Sequence, residues 1–420
     1  MKEKIKVGYI GLGRRGFFIL NKIVSQMKDV EITAVCDLSE ERMKKACDAV
    51  RENAGYTPRM TSDYREILNT PEIDAVFIMT CWSGRVGIAV ESMKAGKYTA
   101  VEVGCADSIE ECYELVDTFE STGIPVMMIE NCCYGRREMA VLRAVREGLF
   151  GEVVHCTGGY HHYLNGVELF KNIDAEDIPH YRLAHYVNEN RENYPTHELG
   201  PISKVLNINR GNRMVSLVSV ASKACGLKDY AASHPEVPEK YAKLDYKQGD
   251  IVTTLITCAG GETVMLCLDT TLPRAYYSRN FSVRGTRGMS SEERRILFFE
   301  GMEESPNENE KEMLERYDHP LHAEYEKIGV KEGHGGMDWL VCRAFIESAK
   351  RGVNTPIDAY DTAAWLAIGP LTKKSVEGGG IPVEIPDFTR GKWKCREPIV
   401  EGKYCLDKVC EDPGTPIIPE

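Results

Sequence analysis

Lys4-Ile5-Lys6-Val7-Gly8-Tyr9-Ile10-Gly11-Leu12-Gly13-Arg14-Arg15-Gly16 opens the chain and decides its fold. A strand pattern runs straight into Gly-x-Gly-x-x-Gly, and a helical pattern follows from Phe17 to Met27. Gly11 permits the tight turn, Gly13 lets backbone approach a pyrophosphate, and Gly16 lets helix pack on strand. The free N–H groups at that helix start suit phosphate oxygens. A second strand, Glu31 to Cys36, ends in Asp37, about 20 residues beyond the glycines, where a carboxylate hydrogen-bonds a ribose diol and repels a 2′-phosphate. The expected cofactor is therefore NAD rather than NADP.

With 420 residues the chain exceeds one ordinary core, so two domains are expected. A net charge of −12 argues against nucleic acid or an anionic membrane as the main partner and leaves a neutral ligand such as a sugar open. No apolar run reaches the roughly 18 residues a membrane span needs. The first strand begins at once, leaving no room for a leader, so a cytoplasmic protein is expected. Of the 15 cysteines, Cys36, Cys81, Cys105, Cys258 and Cys267 sit in apolar or strand-like runs and read as buried small hydrophobes. Neither Cys132-Cys133 nor the tail set Cys395, Cys405 and Cys410 has zinc spacing, so no metal site is expected.

Residues 1–130 alternate strand and helix patterns, the signal of a parallel sheet with crossovers, and read as a Rossmann NAD-binding domain. Ligands in such sheets bind at the carboxyl ends of strands, where Asp37, Thr80-Cys81-Trp82, Glu102-Val103 and Glu130-Asn131 converge. Residues 131–390 read as an α+β substrate domain with a large open antiparallel sheet. Its strand-like runs are Val153 to Tyr160, Met214 to Ser222, Asp250 to Thr257, Thr263 to Thr270 and Asn280 to Gly285, with a helix around Pro201 to Ile208. Met302 to Glu315 reads as a solvated excursion, and Met337 to Lys350 and Tyr360 to Val376 as amphipathic helices. Residues 391–420 read as an extended strap.

This layout resembles the Gfo/Idh/MocA oxidoreductase superfamily. Its dehydrogenases carry Glu-Lys-Pro, with a lysine that assists alcohol oxidation, where this chain has Glu102-Val103-Gly104. The second half narrows the likeness. Tyr194-Pro195-Thr196-His197-Glu198-Leu199-Gly200-Pro201 followed by Asn207-Ile208-Asn209-Arg210-Gly211 resembles the hallmark of glycoside hydrolase family 109, the NAD-dependent α-N-acetylgalactosaminidase group. Glu130-Asn131-Cys132-Cys133-Tyr134, Gly158-Gly159-Tyr160-His161-His162, Tyr277-Ser278-Arg279 and Gly333-His334-Gly335-Gly336-Met337-Asp338 recur in family order. Two departures stand out. Thr-Cys-Trp-Ser-Gly-Arg replaces the family's Thr-Pro-Trp-Glu-Trp-His around Trp82, and Glu198 stands where glycine is usual, placing a charge beside the expected sugar pocket.

The resemblance implies cofactor contacts from Arg14, Arg15, Asp37, Trp82, Arg85, Glu102, Val103, Asn131 and Arg182, beside Gly11, Gly13 and Gly16. It implies substrate contacts from Tyr160, Tyr194, Pro195, Thr196, His197 and Tyr277, with Glu130 at the same strand end. Glu130 itself reads as a catalytic carboxylate, a ribose contact or a buried ion-pair partner. The implied chemistry is a redox route to glycoside cleavage, an exception to the two-carboxylate rule. It comprises oxidation at C3, deprotonation at C2, elimination of the C1 substituent, water addition and re-reduction. Such a route needs proton-transfer groups, and His197, Tyr160 and Tyr277 are the candidates. The rival is an NAD-dependent sugar C3-dehydrogenase; a non-catalytic NAD-binding sensor is a third reading. Asp338 reads as a helix N-cap, and His334 as a loop residue that either lines the site or turns the chain. A small glycoside is the expected partner, and a homo-oligomer is expected by superfamily analogy.

Overall fold

The computed structural model describes residues 2–171, 180–303, 307–329, 333–399, 402–411 and 415–418. Its first sheet contains six parallel strands: β1 (Ile5–Ile10), β2 (Val30–Cys36), β3 (Arg59–Thr61), β4 (Ala75–Ile78), β5 (Tyr98–Val101) and β6 (Val126–Met128). Their order is β3-β2-β1-β4-β5-β6, so β1 and β4 flank the crevice where the winding reverses. The strands are buried apolar runs because helices cover the sheet.

The second sheet has eight strands: β7 (Val153–His161), β8 (Met214–Ala221), β9 (Ile251–Cys258), β10 (Thr263–Asp269), β11 (Ser282–Gly285), β12 (Gly288–Ser291), β13 (Ile296–Phe299) and β14 (Val383–Glu384). Their order is β13-β12-β11-β7-β10-β9-β8-β14. The sheet is antiparallel except that β10 runs parallel to β7. The open-sheet expectation therefore holds with one parallel junction. Strands β12 and β13 were not anticipated. Of the stretch expected to be a solvated excursion, residues 304–306 lie outside the described residues, and Glu310–Tyr317 is a helix.

Helix Thr196–Val205 lies between the two sheets, packing on β7 and on the turn after β6. It begins earlier than the Pro201–Ile208 expectation, so His197 sits in its first turn. Pro201 cannot donate to the His197 carbonyl, yet the helix continues through it. The expected helix Tyr360–Val376 is two, Ala359–Leu366 and Ile368–Glu377, because Pro370 removes an amide from the second one's first turn.

Beneath helix Thr196–Val205 lies a buried ionic network. Lys204 meets Asp361 (2.7 Å) and Asp407 (3.3 Å), while Arg210 meets Asp358 (2.9 Å), Asp361 (2.9 Å) and Asp407 (2.8 Å). Asp407 comes from the C-terminal stretch, which is thereby tied to the helix that carries His197. The neighbouring cations hold the Asp361 carboxyl well below the usual carboxylate range, although burial alone would raise it.

Candidate active site

The three fingerprint glycines occupy distinct environments. Gly11 has φ +94°, and a Cβ there would lie 2.7 Å from the Met79 carbonyl carbon, at the end of β4. At Gly16 a Cβ would collide with the Gly11 carbonyl oxygen. A Cβ on Gly13 would meet nothing within 4 Å, so the backbone there faces open space. Gly13 is also the N-cap of helix Arg14–Lys22 and supplies no side-chain cap, leaving the first-turn amides available for a pyrophosphate. The Asp37 carboxylate accepts from the Leu12 amide (2.7 Å) and the Ser39 amide (2.9 Å), which fixes it beside that turn. These residues fit a dinucleotide.

Arg14 is exposed and donates to the Val167 carbonyl (3.2 Å). Arg15 turns inward, donates to both oxygens of Asp338 (2.9 and 2.6 Å) and lies 3.5 Å from Glu102. Asn131 donates to the same Asp338 (2.7 Å), and His334 Nδ1 lies 2.8 Å from it. Despite burial, these partners, Arg15 foremost, hold the Asp338 carboxyl well below its ordinary value. The N-cap of helix Met337–Arg351 is Gly336, so Asp338 is a buried clamp rather than the expected cap. Arg85 also departs from expectation. Its guanidinium donates to the backbone carbonyls of Thr80, Glu102 and Val103, clipping the ends of β4 and β5 together from within the protein.

Where the superfamily lysine would stand, Val103 is buried. Gly104 has φ +151°, a value closed to proline, and a Cβ there would collide with the Trp82 indole. Trp82 stands in an aromatic group with Tyr181 (5.5 Å), His185 (5.0 Å) and Tyr194 (6.0 Å between ring centres). The Arg182 guanidinium lies over both Trp82 (5.3 Å) and Tyr194 (4.7 Å) and pairs with Glu168 (3.0 Å). The neighbouring Cys81, expected to be buried, is exposed because it lies in the loop past the end of β4.

The expected substrate residues converge on this wall. The Tyr160 ring lies 4.4 Å from Tyr194, 5.4 Å from His197 and 6.2 Å from Tyr277. Pro195 caps the His197 helix, and Thr196 is buried behind it. His197 Nδ1 lies 2.9 Å from Glu130 Oε1, which also accepts from the Cys132 amide (3.0 Å). Glu130 is fully buried. Burial alone would raise its carboxyl, but the His197 imidazole and the amide hold it below its ordinary value. An ionised acceptor fixes the proton on Nδ1 and leaves Nε2 free to exchange protons. Donor atoms of Glu130, Cys132 and His197 lie within 4.8 Å of one another, a set that a divalent ion could share.

Burial pushes the hydroxyls of Tyr160 and Tyr194 upward, with Arg182 opposing the shift; Tyr277 is half-exposed, and desolvation at its hydroxyl end pushes it the same way, opposed by Arg279. All three stand neutral at pH 7 as O–H donors. Tyr277 presents its ring to His162 (5.2 Å), whereas Tyr276 points away and donates to Glu293 (2.7 Å).

Two features escaped the sequence. His162 shares its face of the strand with Tyr160, and its Nδ1 is hydrogen-bonded to the Tyr160 hydroxyl (2.9 Å). Burial holds this imidazole below its ordinary value, with Arg182, His197 and His334 adding to the effect. Glu198 is the second. It does not present a charge to the sugar pocket, because its carboxyl is buried against Arg279 (3.2 Å), a guanidinium shared with Glu138 (2.6 Å). Burial pushes the Glu198 carboxyl well above its ordinary range, and a Cβ on Gly158 would collide with its stem.

Comparison with known proteins follows the same division of the chain. Residues 5–130 match the oxidoreductase family with the NAD-binding Rossmann fold, and residues 134–395 match the C-terminal domain of glycosyl hydrolase 109. The chain belongs to glycoside hydrolase family 109. It is 37% identical to an α-N-acetylgalactosaminidase of Tannerella forsythia, over 94% of this chain and 88% of that protein. In fold it resembles a levoglucosan dehydrogenase solved with NADH (TM-score 0.65, 18% identity, covering 91% of this chain and 100% of that one). It also resembles the myo-inositol 2-dehydrogenase of Lactobacillus plantarum (TM-score 0.63, 15% identity, covering 91% and 100%). This family 109 member is thus a glycoside hydrolase on an NAD-binding dehydrogenase scaffold. Among the described residues no helix is long and apolar enough to cross a membrane.

Proposed function

We propose that the chain hydrolyses α-N-acetylgalactosaminides by transient oxidation of the sugar at C3, elimination across C1–C2, addition of water and re-reduction. The observation that carries this reading is the carboxylate-oriented imidazole of His197, set against Tyr160 and Tyr194 at the end of β6, with no lysine at Val103. Bound NAD supplies reversible hydride acceptance at C3, which acidifies the C2–H bond. The pyrophosphate belongs over Gly13 and the adenosine ribose at Asp37, with Arg15, Trp82, Glu102, Asn131 and Arg182 shaping the crevice toward the sugar.

His197 Nε2 is the acid/base nearest C3 or C2, and Glu130 stabilises the imidazolium formed when it takes a proton. The neutral Tyr160 hydroxyl, relayed to His162, and the Tyr277 hydroxyl orient the sugar and share its protons. The adjacent rings of Tyr160 and Tyr194, tilted by 33° to one another, exclude water from the acidified carbon.

The enzyme acts on a small glycoside in the cytoplasm. It assembles as a homo-oligomer through the outer face of the second sheet, where Val218, Leu255, Met265 and Thr157 form a row across four strands. The test of function is hydrolysis of α- and β-linked nitrophenyl glycosides in D2O. Cleavage of the α-N-acetylgalactosaminide, with deuterium entering C2 and no net NADH, is expected. NADH accumulation with the glycosidic bond intact overturns the reading in favour of a dehydrogenase.

A further inference from the structure

Zinc spacing is absent from the sequence, yet the fold assembles a ligand set from remote positions. Glu130 and Cys132 come from the turn after β6, and His197 from the first turn of helix Thr196–Val205. Gly200 lets the two elements approach. A Cβ there would lie 2.9 Å from Cys133 Sγ and 3.0 Å from Glu130 Cγ, so another residue would force them apart. The result is one carboxylate oxygen, one sulfur and one imidazole nitrogen within 4.8 Å of one another. Ligands bound to a tetrahedral zinc ion at about 2.0 to 2.3 Å stand roughly 3.3 to 3.8 Å apart, so small side-chain rotations close the set.

The cluster also holds polar atoms that the protein leaves unsatisfied. Glu130 Oε2 is buried, as is the hydroxyl of Thr196 next to His197, and neither has a hydrogen-bond partner of normal geometry. The Cys132 thiol donates to the Asn131 side-chain oxygen at 3.5 Å, a contact that an ion readily replaces. Access is through His197, whose side chain is 14% exposed.

We propose that Glu130, Cys132 and His197 form an inhibitory site for a thiophilic divalent ion of the zinc and cadmium class. Sulfur and imidazole ligands select such ions over magnesium, calcium and manganese, which prefer oxygen. On binding, a metal–sulfur bond replaces the S–H bond of Cys132, the proton leaves to solvent, and no electron is transferred. The ion also takes an imidazole lone pair of His197 and the carboxylate that orients it, so this imidazole can no longer accept a proton. Three protein ligands leave the fourth position to water. The inhibitory effect rests on the catalytic role given to His197 above; the binding does not.

Titration of the NAD-loaded, full-length enzyme with cobalt(II) reads binding without substrate. About one ion per chain is expected, with the intense near-ultraviolet band of a cobalt–thiolate bond. Zinc should displace it and magnesium should not. Cys132→Ser should lose the band and weaken binding by at least about 100-fold, the upper end of what losing an outer partner alone costs. Cys132→Ala, checked for folding by its bound NAD, should agree, and Cys81→Ser, at an exposed thiol, should change neither. Zinc should also stop hydrolysis of the nitrophenyl glycoside, reversibly with a chelator. Cys132→Ser should hydrolyse at the unaltered rate and resist zinc over the same range. No thiolate band in the unaltered enzyme, or a band that survives in Cys132→Ser, overturns the site. Binding through Cys132 without inhibition overturns its inhibitory role. Cobalt binding through Cys132 in an enzyme that cleaves no glycoside leaves the site standing and overturns the function proposed above.

Discussion

Replacing Glu130 by Gln isolates charge from geometry. The Gln amide oxygen can occupy the place of Oε1 and still accept from His197 Nδ1 and the Cys132 amide, now at 2.9 and 3.0 Å. What disappears is a full negative charge in a site closed to solvent. An imidazolium about 4 Å away, at an effective dielectric of about 20, gains roughly 4 kcal/mol from that charge. Allowing for relaxation, roughly 3 kcal/mol should be lost from each step in which His197 carries an extra proton, or about a hundredfold to a thousandfold in kcat. KM and bound NAD should change little, because the cofactor residues are untouched. The assay is steady-state hydrolysis of a nitrophenyl glycoside together with the rate of C2–H exchange, and both should fall in parallel. A loss under tenfold, or a loss confined to KM, refutes the imidazolium argument and leaves Glu130 as a structural partner only.

Three further predictions concern stability and the crevice wall. Burial pushes the Glu192 carboxyl up to about 8, against an ordinary 4.5, and the Tyr194 amide (3.1 Å) only partly offsets this. The folded state therefore keeps this proton where the unfolded chain releases it. Stability falls between pH 4.5 and 8 and is level above, by roughly 3–5 kcal/mol in all; Glu192→Gln should flatten that slope in chemical denaturation at pH 5, 7 and 8.5. Gly104→Ala should cost about 1–3 kcal/mol, because φ +151° is closed to alanine and its Cβ would displace the Trp82 indole, and the affinity for NAD should weaken with it; an unchanged melting temperature would contradict this. Asp407→Ala should cost about 3 kcal/mol by leaving Arg210 and Lys204 short of a partner in a buried network. A loss below 1 kcal/mol in thermal unfolding would mean that the C-terminal stretch does not anchor the His197 helix.

The nucleotide-binding half was legible because its determinants are local. Gly11, Gly13, Gly16 and Asp37 lie within one strand–helix–strand unit, and each has a conformational requirement that few residues meet. The second sheet was legible from alternation, except where β10 joins β7 in parallel. That pairing is set by chain return rather than by period. Strands β12 and β13 were missed as well: Gly288–Ser291 holds a single apolar residue, Met289, and shows no alternation, and Ile296–Phe299 is paired by β12 alone. His162 was passed over because two adjacent histidines on a strand leave open which one faces the cleft, and the register that decides it belongs to neighbouring strands. Asp338 was misjudged because its partners are remote: Arg15 lies 323 residues away and Asn131 207 away.

The same distance explains Glu198. On the sequence it is a charge next to His197, in a place where glycine is usual. In the fold, consecutive helical positions point about 100° apart, so His197 faces Tyr160 while Glu198 faces the underside of β7 and Arg279. The buried Glu198 and Glu138 share that one guanidinium, and the carboxyl of Glu198 is pushed up. Its only route to the sugar passes through Arg279 and hence through Tyr277, two residues away on the same segment. Glu198→Gln keeps the shape and removes the titratable proton. It should therefore leave the nitrophenyl glycoside KM within about twofold, whereas a charge lining the pocket would change substrate affinity by about 1 kcal/mol or more, roughly fivefold. A KM shift beyond fivefold, measured with bound NAD unchanged, would return Glu198 to the sugar pocket.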